Sequence, residues 1–233
     1  MSEHGTGPGH GPGYGHGAGH PQPQSEQELQ ALFEQPSWEE RYAGKPSVWS
    51  GNPNPQLVVE GTGLVPGRAL DVGSGEGADA IWLAGRGWQV TGLDFSAVAL
   101  ERSAQHAAEA GVGEGVEWRH ADLRTWSPGS ERWDLVSSQF MHQPDGGMVA
   151  ITRTLAAAVA ESGTLLVVGH HPADVETGLR WSIGNALFTP EELLPALDDG
   201  WDVTAEVRER VVPGPEGDPV TVRDSVVLAR RRP

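Results

Sequence analysis

From Gly67 onward two hydrophobic rhythms alternate along the chain. Apolar runs of five to eight residues, RALDV (68–72), WQVTGLD (88–94), VEWRH (116–120), DLVSSQ (134–139) and GTLLVVGH (163–170), have the length of strands. Between the first two lies ADAIWLAGRG, apolar at helical spacing and closed by glycine. SAVALERSAQHAAEAG repeats that grammar, opened by Ser96 and stopped by Gly111, and GGMVAITRTLAAAVAESG supplies a helix before the fifth strand. Such alternation predicts parallel strands joined by right-handed crossovers. The rhythm then changes. After a short helix at TPEELLPALDD, WDVTAEVRERVV (201–212) and DPVTVRDSVVLARR (218–231) alternate apolar and polar residues around PGPEG, the pattern of an antiparallel hairpin. The expected fold is α/β: a doubly wound sheet of mostly parallel strands with a C-terminal antiparallel hairpin and helices on both faces.

The N-terminal part follows another rule. Every odd position from Gly5 to Gly19 is glycine, so residues 1–24 have little to bury and a high ordering cost, and disorder is expected there. Order is expected from Ser25, a capping-type serine with glutamate three residues on in SEQELQALFEQ. WEERYAGKPSVWSGNPNPQLVVEG then reads as a short helix, a loop and a second helix leading into the sheet. Residues 25–233 form one domain on this reading.

Composition narrows the chemistry. The 233 residues include no cysteine, which excludes disulfides, thiolate metal sites and a catalytic thiol. Neither a membrane-spanning run nor a secretory leader is evident, so a cytoplasmic protein without a membrane partner is expected. A net charge of −16, with Lys45 the single lysine, repels phosphate backbones, and nucleic acid is not expected as a partner.

In open parallel sheets ligands bind beyond the C-terminal strand ends, near the point where strand order reverses. The polar residues expected there are Asp71 with Gly73, Gly75 and Gly77, then Asp94, Asp122 after His120, Gln139 with His142, and His170 with His171. The glycines permit a sharp turn and close ligand approach, with helix amides free to meet an anion. Asp94, 21 residues past Gly73, is placed to accept from a ribose diol, and Asp122 from an exocyclic amine beside the Leu123 amide. Each also has a plain structural role open to it: a turn, a cap, a solvated loop. His142, His170 and His171 are candidate general bases if the substrate must lose a proton. Neighbouring histidines on a strand point to opposite faces, so no metal site is expected from them. GSGEGA also fits a dinucleotide pattern, which keeps an NAD(P)-dependent oxidoreductase as an alternative. Against it stand Asp71 two residues before the first glycine, the second acid at Asp122, and the closing hairpin. A non-catalytic cofactor- or metal-binding protein using His4, His10, His16 and His20 is the remaining alternative.

Taken in order, LDVGSGEG, Asp94 in VTGLDFS, ADL (121–123), WDLVSSQF and GGMVAITRTLAAAVAESGTLLVVGHH resemble the class I S-adenosylmethionine-dependent methyltransferases over about residues 38–230. WEERY…VWSGNPN resembles the cofactor-covering segment of the small thiopurine- and tellurite-type members. The resemblance implies a Rossmann-like fold, S-adenosyl-L-methionine as cofactor, and in-line methyl transfer to a small-molecule acceptor. It also implies site roles. Gly73 and Gly75 meet the charged ends of the methionine part, and Asp71 orders the loop or meets its amino group. Asp94 takes the ribose hydroxyls, Phe95 lines the adenine, and Asp122 with Leu123 takes its edge. Gln139 faces the methionine or the transferred methyl, and Tyr42 and Trp49 form a lid. Residues 25–66 are then a helical cap, 67–171 the cofactor-binding core, and 172–233 the acceptor side, with Arg180 and Trp181 in its long loop.

Overall fold

The computed structural model describes residues 25–177, 186–214 and 217–233. The expected tail 1–24 and the loop residues Arg180 and Trp181 lie outside the described residues. Seven strands form one sheet: β1 (Arg68–Val72), β2 (Gln89–Asp94), β3 (Val116–His120), β4 (Trp133–Gln139), β5 (Val159–His170), β6 (Trp201–Pro213) and β7 (Pro219–Arg231). Their order is β3-β2-β1-β4-β5-β7-β6. Strands β3 through β5 run parallel, β7 runs antiparallel to β5, and β6 antiparallel to β7, as the change of rhythm predicts.

The central strands are apolar on both faces because helices cover both. Successive residues point to opposite sides, so Leu70, Val136 and Val167 enter one core while Ala69, Leu135 and Leu166 enter the other. Over the first face lies α6 (Gly147–Ala158), which contributes Met148, Ile151 and Leu155. Over the second lie α3 (Pro55–Gly61), with Leu57, and α4 (Ala78–Ala84), with Ala80 and Leu83. Alongside α4 runs α5 (Ala97–Glu109), capped by the Ser96 hydroxyl accepting from the Ala99 amide at 3.1 Å. Each fully buried leucine contributes about 2 kcal/mol. Two short helices, α1 (Glu26–Ala31) and α2 (Gln35–Ala43), precede this core. No helix among the described residues is long and apolar enough to cross a membrane.

Two elements differ from the expectation. β5 begins at Val159, not Gly163: Val159 pairs with Trp133 and Thr164 with Leu135, and the extra residues bulge outward with Ser162 at φ 61°. Val159 is wholly buried, so its pairing wins although the apolar run AAAVA continues the helical rhythm. Pro190–Ala196 is a 3-10 turn instead of an α-helix, since Pro195 lacks the amide an α-helical ladder needs.

Candidate functional site

After β3 the chain returns to place β4 on the other side of β1, and this reversal opens a cleft above the C-terminal strand ends. Its floor carries Asp71, Gly73, Gly75, Asp94, Phe95, Asp122, Leu123 and Gln139, and its roof carries Tyr42 and Trp49. Thus every residue predicted to contact a cofactor lines one cavity. Of the three candidate histidines, only His142 reaches it.

The glycine loop is left-handed at Gly73 (φ 71°), Gly75 (φ 53°) and Gly77 (φ 87°). A Cβ at Gly75 would stand 3.1 Å from the Tyr42 hydroxyl and the Trp49 Nε1, and one at Gly77 only 2.7 Å from the Trp118 ring. The amides of the loop itself turn inward. Gly73 and Ser74 donate to the Leu93 carbonyl at 2.8 and 2.9 Å, Gly75 to Asp94 Oδ2 at 2.8 Å, and Gly77 to the Ser74 carbonyl at 2.8 Å. These four amides are therefore not a cradle for an anion.

Acceptors face the cleft in their place. Asp71 is 2% exposed and its Oδ2 has no partner among the described residues. Burial, with the nearby Asp79 charge, pushes its carboxyl well above the usual range. Asp79 accepts from the Asn54 amide and Nδ2, both at 2.7 Å, yet burial still raises it to about 6. Asp94 accepts from Gly75 and, through Oδ1, from the Ser96 amide at 2.9 Å, while burial raises it too. A carboxylate has about four lone-pair sites, so both oxygens can accept further. Asp122 differs: the Arg124 guanidinium holds it below the usual range, and Arg124 also reaches Glu34 at 2.7 Å. Gln139 donates through Nε2 to the Ser137 hydroxyl at 3.0 Å, leaving its buried Oε1 without a partner among the described residues. Arg124 is the one Lys or Arg among the described lining residues.

The three candidate histidines are engaged within the fold. His142 Nε2 accepts from the His170 amide at 3.0 Å, so its lone pair is used and the neutral ring carries its proton on Nδ1. His170, 1% exposed, lies behind it, its ring stacked on His142 at 5.0 Å and against Phe140 at 4.6 Å. His171 accepts from the Ala173 amide at 3.1 Å. All three shape the β5 exit, and none presents a free lone pair to the cleft in this arrangement. Phe140, which the sequence did not single out, lines the cleft at φ 56°, a conformation rare for an aromatic residue.

Sequence reasoning also missed what holds the roof. Glu76, inside the glycine motif, accepts from the Val48 and Trp49 amides at 3.0 Å each and from Arg102 at 2.9 Å. Arg102 in turn donates to the carbonyls of Tyr42 and Lys45. Glu39 accepts from Ser96 Oγ (2.8 Å), Ala97 (2.8 Å) and Val98 (3.2 Å) at the start of α5. Burial opposes its charge, but these bonds outweigh burial and lower its carboxyl. The Trp49 indole donates to the Tyr42 hydroxyl at 3.0 Å, and Trp38 packs 6.1 Å from Trp49.

Residues 69–163 match the family model of a methyltransferase domain. The chain is 33% identical over 130 residues to ribosomal RNA small subunit methyltransferase C of Alcanivorax borkumensis, covering 55% of this chain and 35% of that one. It is 33% identical over 102 residues to "Probable thiol methyltransferase 2" of Arabidopsis thaliana, covering 42% of this chain and 45% of that one. The chain thus spans between a third and a half of the length of these curated relatives. Among solved structures, one of DhpI in complex with SAH superposes with a TM-score of 0.59 at 23% identity, covering 88% of this chain and 98% of that one. Residues 69–163 are thus similar to a methyltransferase domain, and the fold is the Rossmann-like one of that solved structure.

Proposed function

We propose that the protein transfers a methyl group from S-adenosyl-L-methionine to a small-molecule acceptor. The observation that carries this reading is the buried, unpartnered carboxylate oxygen of Asp71, which with Asp79 belongs to the residues lining the cleft. A buried acidic pair suits the ammonium of an amino-acid moiety and repels a pyrophosphate, which would find the loop amides already bonded. The same contrast weakens the dinucleotide alternative.

On this reading Asp71 and Asp79 hold the ammonium, Asp94 the ribose hydroxyls, and Asp122 with the Leu123 amide the adenine edge beside Phe95. Gln139 Oε1 faces the methionine part or the methyl to be transferred. Gly73 and Gly75 allow the close approach that a Cβ would block. Tyr42 and Trp49 exclude water, and their faces suit a cation. When bound, the cofactor supplies a methyl group already activated on its sulfonium. The His142 Nε2 lone pair already accepts from the His170 amide, which favours an acceptor that arrives nucleophilic, such as a thiolate. The likeness to a thiol methyltransferase supports the same class. RNA is disfavoured as substrate by the net charge of −16, despite the likeness to a ribosomal RNA enzyme. A cytoplasmic location belongs to the same proposal.

Calorimetric titration of the full chain with S-adenosylhomocysteine, and with NADH as control, tests the reading. Binding of the former alone is expected. Binding of NADH alone would overturn it.

A further inference from the structure

The β6 strand is the outer edge of the sheet, thirteen residues long and paired along its whole length with β7, from Trp201 opposite Arg231 to Pro213 opposite Pro219. Among the described residues no strand borders its other side. Natural edges are usually blunted by lysine, proline or a bulge. This one has no lysine, its charges are the largely compensating Asp202, Glu206, Arg208, Glu209 and Arg210, and its single proline is the last residue. On one face it exposes Val203 (39%), Val207 (42%) and Val211 (63%), each four residues from the next. On the other face stand Glu206 and Arg208.

We propose that β6 pairs antiparallel with β6 of a second copy of this chain, about a two-fold axis through Val207. Such an axis stands perpendicular to the sheet and keeps every residue on its own face, so each residue meets one of like parity. With the axis at 207, Val207 meets the partner's Val207 and Val203 meets the partner's Val211. Glu206 meets the partner's Arg208, and the reverse pair forms by symmetry. Position 207 is also the midpoint of the strand, so all thirteen residues pair end to end. Moving the axis by one residue sets Glu206 against the partner's Glu206, or Arg208 against the partner's Arg208, and takes Val207 off its valine. Moving it further shortens the ladder. Exposed valines and central charges are thus satisfied together in the longest register. Arg208 is already steadied within its own chain by Gln56 at 2.9 Å and Glu60 at 2.7 Å, on α3, and by Glu206 at 2.7 Å, so the partner's Glu206 extends an existing charge pair into a four-membered network.

The test is sedimentation equilibrium of the full chain, followed by cross-linking. A dimer is expected at micromolar concentration. Val207→Lys, which sets two ammonium groups across the axis, should raise its dissociation constant about 100-fold without altering the circular dichroism. Because the chain has no cysteine, register can be read directly with a short bifunctional maleimide. Val207→Cys should cross-link to itself. Val203→Cys should not, its two copies being about 26 Å apart, whereas an equimolar mixture of Val203→Cys and Val211→Cys should. A monomer at every concentration, a dimer indifferent to Val207→Lys, or self-linking of Val203→Cys as ready as that of Val207→Cys would overturn the proposal.

Discussion

The glycine loop and the segment that roofs it face each other across one cleft and are held by opposite means. The loop is fixed by the sheet: β1 and β2 pair in parallel, and the loop amides bond to the end of β2. The roof, from Trp38 to Asn54, is largely half-buried or exposed and is tied down by the carboxylates of Glu39, Glu76 and Asp79 and by Arg102. Backbone bonds inside a sheet need no side chain, while each charge-assisted tie of the roof is lost with a single carboxylate. Half of this site is therefore built into the fold, and half is laid over it by separable polar contacts.

The sharpest way to break the built-in half is Gly77→Ala. It forces a left-handed conformation on a residue with a Cβ and drives that Cβ to 2.7 Å from Trp118. The ring cannot retreat, because it also lies against Gly92, where a Cβ would meet it at 2.5 Å. Backbone strain and overpacking together should cost about 3–4 kcal/mol, read as a lower urea midpoint at unchanged m. A midpoint equal to the parent's would show that the loop is softer than its backbone suggests.

A smaller and more local effect is expected in the roof. Glu76→Gln removes the charge that Arg102 and two amides share, at a cost of about 2 kcal/mol. The loss should appear as proteolytic cleavage between residues 43 and 53 and weaker S-adenosylhomocysteine binding, with the sheet intact. Glu117→Gln is the matched control: Glu117 also pairs with an arginine, Arg119, but is 61% exposed, and its loss should cost about 0.5 kcal/mol or less. Equal effects of the two substitutions would mean that the Glu76 ties do not hold the roof.

The same division explains what the sequence disclosed. Asp71, Asp94 and Gln139 were legible because each closes or nearly closes a parallel strand, and strand ends in such a sheet converge on one rim. Glu76, Asp79, Glu39 and Arg102 were not, because their partners lie 25 to 60 residues away in sequence and carry no periodic mark. His170 could not be placed from the sequence for a related reason. A histidine at a strand end looks alike whether its ring faces the cleft or packs behind it, and only the stack on His142 and Phe140 decides.

Asp71 joins the two halves, since the loop buries it and Asp79, its neighbour in charge, is bonded to the roof through Asn54. Folding raises both carboxyls above their unfolded value of 3.8, Asp79 to about 6. Between those limits the folded chain binds more protons than the unfolded one, so stability falls as pH rises through that window. Asp71→Asn removes one of the two charges. It should leave stability nearly unchanged near pH 3, below the unfolded value, where most such carboxyls are neutral in both states, and raise it by about 1 kcal/mol at neutral pH. Affinity for S-adenosylhomocysteine should move the other way and fall about 10-fold, because the ammonium loses a charged acceptor. Melting curves across that pH range, paired with calorimetry, read both signs at once. A variant that is less stable at neutral pH would make Asp71 a structural anchor of the loop, and a variant more stable with unchanged affinity would move the ammonium elsewhere in the cleft.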